Sequence, residues 1–274
     1  MHRGCKFLLA AAIMLIIGGI VLYYPYGCSK KIVNAIHDDN ITMEDFGRVV
    51  NKNKNGINSL RYLLPIWEVL DAPNYYPIHY ACKSGQYEKV EVLLDAGADP
   101  NVRDHTTNST PLLFALQSGK SNRFLIANLL LDNGANPSDE DKWSSPLFSS
   151  LIIVENDNRD IQEGQSVSLL KRLMKTVVSI DDPSGTNTLL GEAASFGNLT
   201  AMKYIMDNQI NDVNDASEIG RTSLMSSVFA DDEEICQLLI DKGADKNLKD
   251  IDGKTAYDYA IELNRPNCAK VCQP

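Results

Sequence analysis

Four histidines, six cysteines and a surplus of carboxylates are the side chains of this 274-residue chain that could do chemistry. Their spacing argues against most of it. His2 precedes an apolar run, and His37 and His105 stand in no partner motif. His79 lies in the phrase Tyr76-Pro77-Ile78-His79-Tyr80-Ala81. No His-Glu-x-x-His, Gly-x-Ser-x-Gly or Gly-x-Gly-x-x-Gly pattern occurs. Gly119-Lys120-Ser121 ends like a phosphate loop, but Phe114 occupies the place of the leading glycine. Cys268 and Cys272, four apart with no histidine nearby, could hold a metal or pair with each other. The six cysteines suggest no disulfide framework. The run Asp231-Asp232-Glu233-Glu234 suits the first turn of a helix, where carboxylates meet the positive end of the helix dipole, better than a calcium site. We expect no catalytic residue, no metal, no cofactor and no small-molecule substrate.

Charge narrows the class of partner. The formal net charge is −10. The first 31 residues hold four cations (Arg3, Lys6, Lys30 and Lys31) and no acid, so the rest carries 22 basic against 36 acidic side chains. Nucleic acid, whose phosphates demand a basic face, is disfavoured. A basic protein partner would be drawn in at long range, although the same surplus also serves solubility alone.

The elements that position these residues repeat. The opening phrase at Tyr76–Ala81 is answered by the close Leu93-Leu94-Asp95-Ala96-Gly97-Ala98-Asp99-Pro100-Asn101. Thr110-Pro111-Leu112-Leu113-Phe114-Ala115 opens a second unit, closed by Leu130-Leu131-Asp132-Asn133-Gly134-Ala135-Asn136-Pro137, and Leu238-Leu239-Ile240-Asp241-Lys242-Gly243-Ala244-Asp245 repeats the close. Each part has a physical reason. A hydroxyl and a proline start a helix. A small Ala81 lets two helices approach, the Leu pair fills the space between neighbours, and the glycine supplies a left-handed helix end. Self-similarity of this length means a stacked solenoid.

These phrases resemble the ankyrin repeat, over residues 72–274. That likeness implies that the ring of His79 bonds backbone in the turn and that Cys82 and Cys236, at positions of small buried residues, are packed thiols. The resemblance implies an all-α solenoid of helix-turn-helix repeats joined by hairpin loops, with units at 72–104, 105–141, 142–183, 184–214 and 215–250 and a C-terminal cap at 251–274. The unit at 142–183 fits poorly, because a polar stretch at Glu155–Gln165 swells the turn between its helices. The spacing of Ile32, Val33, Ile36, Phe46, Val49 and Val50 predicts short helices, so that 31–71 forms a helical N-terminal cap.

Residues 1–30 form a separate segment. Phe7 to Tyr24 is an uninterrupted apolar run behind Arg3 and Lys6, near the lower length limit for a spanning helix. It reads as a transmembrane anchor at 7–24 or a signal helix; a lipid on Cys28, after Gly27, is the alternative, although Pro25 fits that poorly. The short charged tail favours a cytoplasmic N-terminus, which leaves the repeats in the periplasm with the protein anchored in the inner membrane; a cytoplasmic-facing domain stays open.

In ankyrin proteins the hairpin tips and the inner ridge of each first helix are the usual recognition surface. Carried over by position, the ridge includes Lys83, Ile152, Phe196 and Phe229, and the tips include Arg103, His105 and Trp143. Phe196 and Phe229 should be neighbours with Ile152 one unit away, either as an exposed apolar patch or turned into the core of irregular repeats. The expected function is non-catalytic protein binding at a membrane. The architecture resembles that of bacterial envelope immunity proteins, which implies occlusion of a toxic effector such as a lipase. The alternative is a membrane-tethered adaptor or scaffold for an endogenous enzyme.

Overall fold

Helix starts recur because the same short polar side chains stand at the same place in each unit. Thr110, Ser145, Thr188, Thr222 and Thr255 each sit in extended backbone, and each side chain accepts the amide three residues on. Such a cap contributes about 1 kcal/mol to the helix it starts. The helices that follow are short. α3 is Pro77–Lys83, α5 Pro111–Leu116, α7 Pro146–Ser149, α9 Leu189–Ser195, α11 Ser223–Ser227 and α13 Ala256–Glu262. Each is followed by a second helix: α4 Tyr87–Asp95, α6 Arg123–Asp132, α8 Arg159–Leu173, α10 Leu199–Asp207, α12 Glu233–Asp241 and α14 Pro266–Cys272. Of the first helices, α3, α5, α9 and α11 bury nearly every residue.

The computed structural model describes residues 30–58, 76–104, 106–141, 145–151, 159–176 and 184–274. The anchor expected at 7–24 and Cys28 lie outside them. Among the described residues no helix is long and apolar enough to cross a membrane. Among the same residues no strand forms; a single bridge between Ala216 and Thr222 closes one hairpin.

First helices stack on first helices, as α3 on α5, α5 on α7, α9 on α11 and α11 on α13. Second helices form the outer layer, as α4 beside α6, α6 beside α8, α8 beside α10 and α12 beside α14. The core runs between the layers through Ala81, Leu93, Leu112, Leu116, Leu130, Ala193, Leu224 and Leu239, all buried.

Two seams of hydrogen bonds stitch the units. On the hairpin side, Asn101 Nδ2 donates to Gly134 O and Asn101 Oδ1 accepts from Asn136 N. Asn58 makes the same pair with Gly97 O and Asp99 N, and Asn214 with Gly243 O and Asp245 N. On the other side, a side chain at the start of a second helix reaches back to the turn of the preceding unit: Asn122 to Gly85 O, Asn198 to Leu151 O and Asn267 to Asp231 O.

The N-terminal segment obeys the same rules. Helix α1 (30–36) and α2 (Met43–Lys52) are followed by a turn that delivers Asn58 to the hairpin seam. Ile32, Ile36, Phe46 and Val50 are fully buried, and α2 packs on α4. Here the reach-back group is Lys89, a buried cation whose Nζ donates to Ala35 O, Ile36 O and Asp38 O. A cation suits the negative end of helix α1.

Two expectations are corrected. The stretch 155–165 is not a swollen turn throughout, because α8 is helical from Arg159. Gln162 and Glu163 within it, and Ser166 just after, mislead because they are buried and paired. Gln162 accepts from buried Arg123, Glu163 accepts from the amide and hydroxyl of Thr200, and Ser166 bridges Ser150 O and Asn198. Residues 152–158 lie outside the described set. The second correction concerns the cysteines. Cys236 is not a free packed thiol but is bonded to Cys268, since α12 and α14 bring their Cα atoms to 5.9 Å. Cys272 neither pairs with Cys268 nor joins a metal cluster among the described residues. It is a buried free thiol pushed up to about 11 by burial. Cys82 is buried and free, as the resemblance implies.

Candidate partner-binding surface

The inner ridge starts where the first helices end. Five of them lead into a turn with one residue in the left-handed region: Gly85, Gly119 and Gly197, then Asp231 and Asn264 in the last two units. Just before that residue, Lys83, Gln117 and Phe229 are exposed.

At the C-terminal end of the ridge, Phe229 is 40% exposed. Its ring is flanked by Arg221, whose guanidinium carbon stands 5.6 Å from the Phe229 centroid and 5.9 Å from that of Tyr259. Lys254 Nζ lies 5.3 Å from the same Tyr259 ring. Such cation–ring contacts are worth about 0.5–1 kcal/mol when exposed and more when desolvated. Tyr259 donates its hydroxyl to Asp250, which raises the phenol's pKa. Burial pushes the Asp250 carboxyl up, but that hydroxyl and the amides of Lys254 and Asp252 more than offset it and hold the carboxyl below its usual value. The outcome is an apolar ring held by an ordered cation, with Ile251 71% exposed at the neighbouring hairpin tip.

Phe196 is half-buried and makes no ring contact with Phe229. The two rings stand at different registers beyond the ends of α9 and α11: counted from the N-caps Thr188 and Thr222, Phe196 is eight residues on and Phe229 seven.

At the N-terminal end, Lys83 is exposed at the end of α3. It shares an open depression of about 450 Å³ with Lys120, Gln117, Phe114, Ser109 and Asp141. Phe114 forms an apolar surface there, with its ring 4.7 Å from that of His79. His79 accepts the Tyr76 amide on Nδ1, the backbone bond expected of it, and burial lowers its pKa to about 4. The hairpin wall is shaped by Asp104. Burial raises its carboxyl, but the hydroxyl and amide of Thr107 and the amides of Thr106 and Ser109 win and hold it below its usual value.

Arg103 is engaged within the hairpins: it donates to Asn108 O and Glu140 O and pairs with Asp139 at 3.0 Å. His105, Trp143 and Ile152 lie outside the described residues. Sequence reasoning passed over Arg221, Tyr259 and Lys120. Arg221 directly precedes a cap residue, and that adjacency was the only available signal.

The ankyrin-repeat family model, in three copies, matches residues 49–141 and 160–250. The match begins inside the segment 31–71, where Asn58 already makes the hairpin-seam contact. A putative ankyrin repeat protein of Acanthamoeba polyphaga mimivirus is 25% identical over 205 residues, which cover 72% of this chain and 25% of that protein. The chain spans 18% of the next two curated relatives, so it corresponds to a fraction of each. The crystal structure of an ankyrin repeat protein overlays with a TM-score of 0.51 at 23% identity, over 71% of this chain and 94% of that one. A chain in the complex of a predatory endopeptidase from Bdellovibrio bacteriovorus with an immunity protein overlays at 0.48 and 23% identity, over 89% and 97%. The repeat phrases, the paired short helices and a family match over most of its length agree: this chain belongs to the ankyrin-repeat family.

Proposed function

We propose that the chain is a membrane-tethered inhibitor that captures one protein partner on its inner face and occludes it, the partner being a toxic effector of the lipase kind. Ankyrin repeats bind protein partners, and that part rests on family membership. The observation that carries the finer reading is Phe229, an exposed aromatic ring buttressed by Arg221 on the recognition ridge. Exposed aromatic and arginine anchors dominate many interfaces, with losses of about 2 kcal/mol or more on truncation. Two further features support it. The Cys236–Cys268 bond fits an oxidising compartment such as the periplasm. The apolar run Phe7–Tyr24 fits a tether.

The test is a cross-linked pull-down with the full chain in detergent against cell extract and secreted fractions, alongside Phe229→Ala. One stoichiometric partner whose capture is lost in the variant, and whose toxic activity the chain suppresses, is the expected result. Capture of a housekeeping enzyme that stays active while bound would replace inhibition with an adaptor role. No enriched partner in any fraction would remove the reading.

A further inference from the structure

Arg221 is a cation held in place by rings rather than by an acid. Phe229 of its own unit and Tyr259 of α13 both stand against its guanidinium. A ring face meets the charge of a guanidinium but offers no acceptor to its N–H groups. The Nε is buried and meets no acceptor either. Among the described residues, which include every one from 184 to 274, no carboxylate stands within ion-pair distance of Arg221. The acids closest to it in the fold are engaged elsewhere. Glu262 pairs with Lys254. Glu218 lies against Gly185 of the preceding hairpin, where a Cβ would meet its carboxylate. Asp250 acts on Arg221 through its field, but its oxygens accept the Tyr259 hydroxyl and the amides of Asp252 and Lys254. The surface beside this cation is apolar. Phe229 is exposed, and so is Ile251, whose amide bonds the carbonyl of Ile219 two residues before Arg221.

We propose that Arg221 and Phe229 together receive a single Asp or Glu of the partner set beside an apolar residue, the carboxylate taken by the guanidinium and the apolar side chain resting on Phe229. A planar fork of donors matches a carboxylate in shape as well as in charge. The formal −10 of the chain repels a run of acids, so one carboxylate in a neutral or basic segment suits both the long-range field and the contact. The proposal rests on the reading of the inner face as the partner-binding surface, and names the chemistry that this face selects.

The test is fluorescence anisotropy on the full chain in nonionic detergent. The probes are a fluorescein-labelled Gly-Ser peptide with Phe-Glu-Phe at its centre and the same peptide with Gln or Lys in place of Glu. The Glu peptide should bind about tenfold more tightly than the Gln peptide, and Arg221→Gln should erase that ratio. Lys242→Gln, an equal loss of charge at the exposed C-cap of α12, should leave it unchanged. Thermal melts establish that the variants fold. If Arg221→Gln does not, Arg221→Lys takes its place and should lower the ratio, since it keeps the charge and loses the planar fork. A Gln or Lys peptide bound as tightly as the Glu peptide, a ratio unchanged at position 221 or equally reduced in Lys242→Gln, or no binding of the Glu peptide would overturn the proposal. Arg221-dependent binding of the Glu peptide without any captured partner would sink the inhibitor reading and leave this one standing. A partner captured through Phe229 but indifferent to the Arg221 variant would do the reverse.

Discussion

The two ends of the stack are closed by different chemistry. At the N-terminal end a buried ammonium, Lys89, ties α4 to the carbonyls that finish α1. At the C-terminal end a covalent bond, Cys236–Cys268, ties α14 to α12, assisted by Asn267 on Asp231 O and an exposed Lys270–Glu233 pair. Even the helix starts differ. The third residue of α3 is His79, which accepts the Tyr76 amide, while that of α13 is Asp258, which accepts the amide and hydroxyl of Thr255. In a solenoid each unit touches only its neighbours, so an end lacks half of its support and must find another source. Here one end responds to acid and the other to reductant.

The largest effect should come from the covalent closure. Cys268→Ser, or reduction, opens a loop whose ends are 32 residues apart, and the denatured-state entropy regained corresponds to about 3–4 kcal/mol. Urea unfolding should show the loss while amide exchange in α1 to α4 stays unchanged. Equal acceleration at both ends would mean that the stack unfolds as one unit, and the contrast would fail.

Acid should act first at the opposite end. Burial lowers the folded pKa of His79 from 6.5 to about 4, so the unfolded chain binds the proton more readily. The stabilisation is complete above pH 6.5 and is lost as pH falls toward 4, on the order of 3 kcal/mol in all. Asp258 behaves differently. The amide and hydroxyl of Thr255 hold its carboxyl below 3.8, so its contribution survives until pH falls through that lower range. Between pH 6.5 and 4, exchange should therefore speed up around α3 before α13, and His79→Gln should flatten the slope. A slope unchanged in that variant would assign the acid response to another group.

Lys89→Met keeps the stem and removes the ammonium. Three carbonyls then lose a charged donor, at a cost of about 2 kcal/mol, seen as faster exchange in α1 and α2 with α12 to α14 unaffected. The smallest effect should be Thr255→Ala, about 1 kcal/mol from a lost cap, confined to the last helix pair. A destabilisation that reached α3 would again argue for long-range coupling.

Much of this fold is legible in the residues, because the phrases at 76–101, 110–137 and 222–245 combine caps, small contacts and a helix-ending residue in one period. The unit at 30–58 is harder to see, since it has no such opening and Asn53 stands at the end of α2 without a following glycine. Helix α8 was obscured by buried Gln162, Glu163 and Ser166, whose partners come from Arg123, Ser150, Asn198 and Thr200 in other elements. Local composition cannot reveal such partners. The same holds for Cys236 and Cys268, which meet only after α14 packs on α12. On the inner face, Lys83 and Phe229 follow from register alone. Arg221 and Lys120 do not, because their places depend on contacts made across unit boundaries.

The asparagines at 58, 101 and 214 have a mechanical consequence. Each amide holds a neighbour at two points, a carbonyl and an amide two residues further on. A joint with one pin can swivel, whereas a joint with two cannot. The hairpin edge is thus locked at these three boundaries. A partner that seats across one of them must arrive already shaped to it, because flexing that joint to fit would first have to pull out a pin.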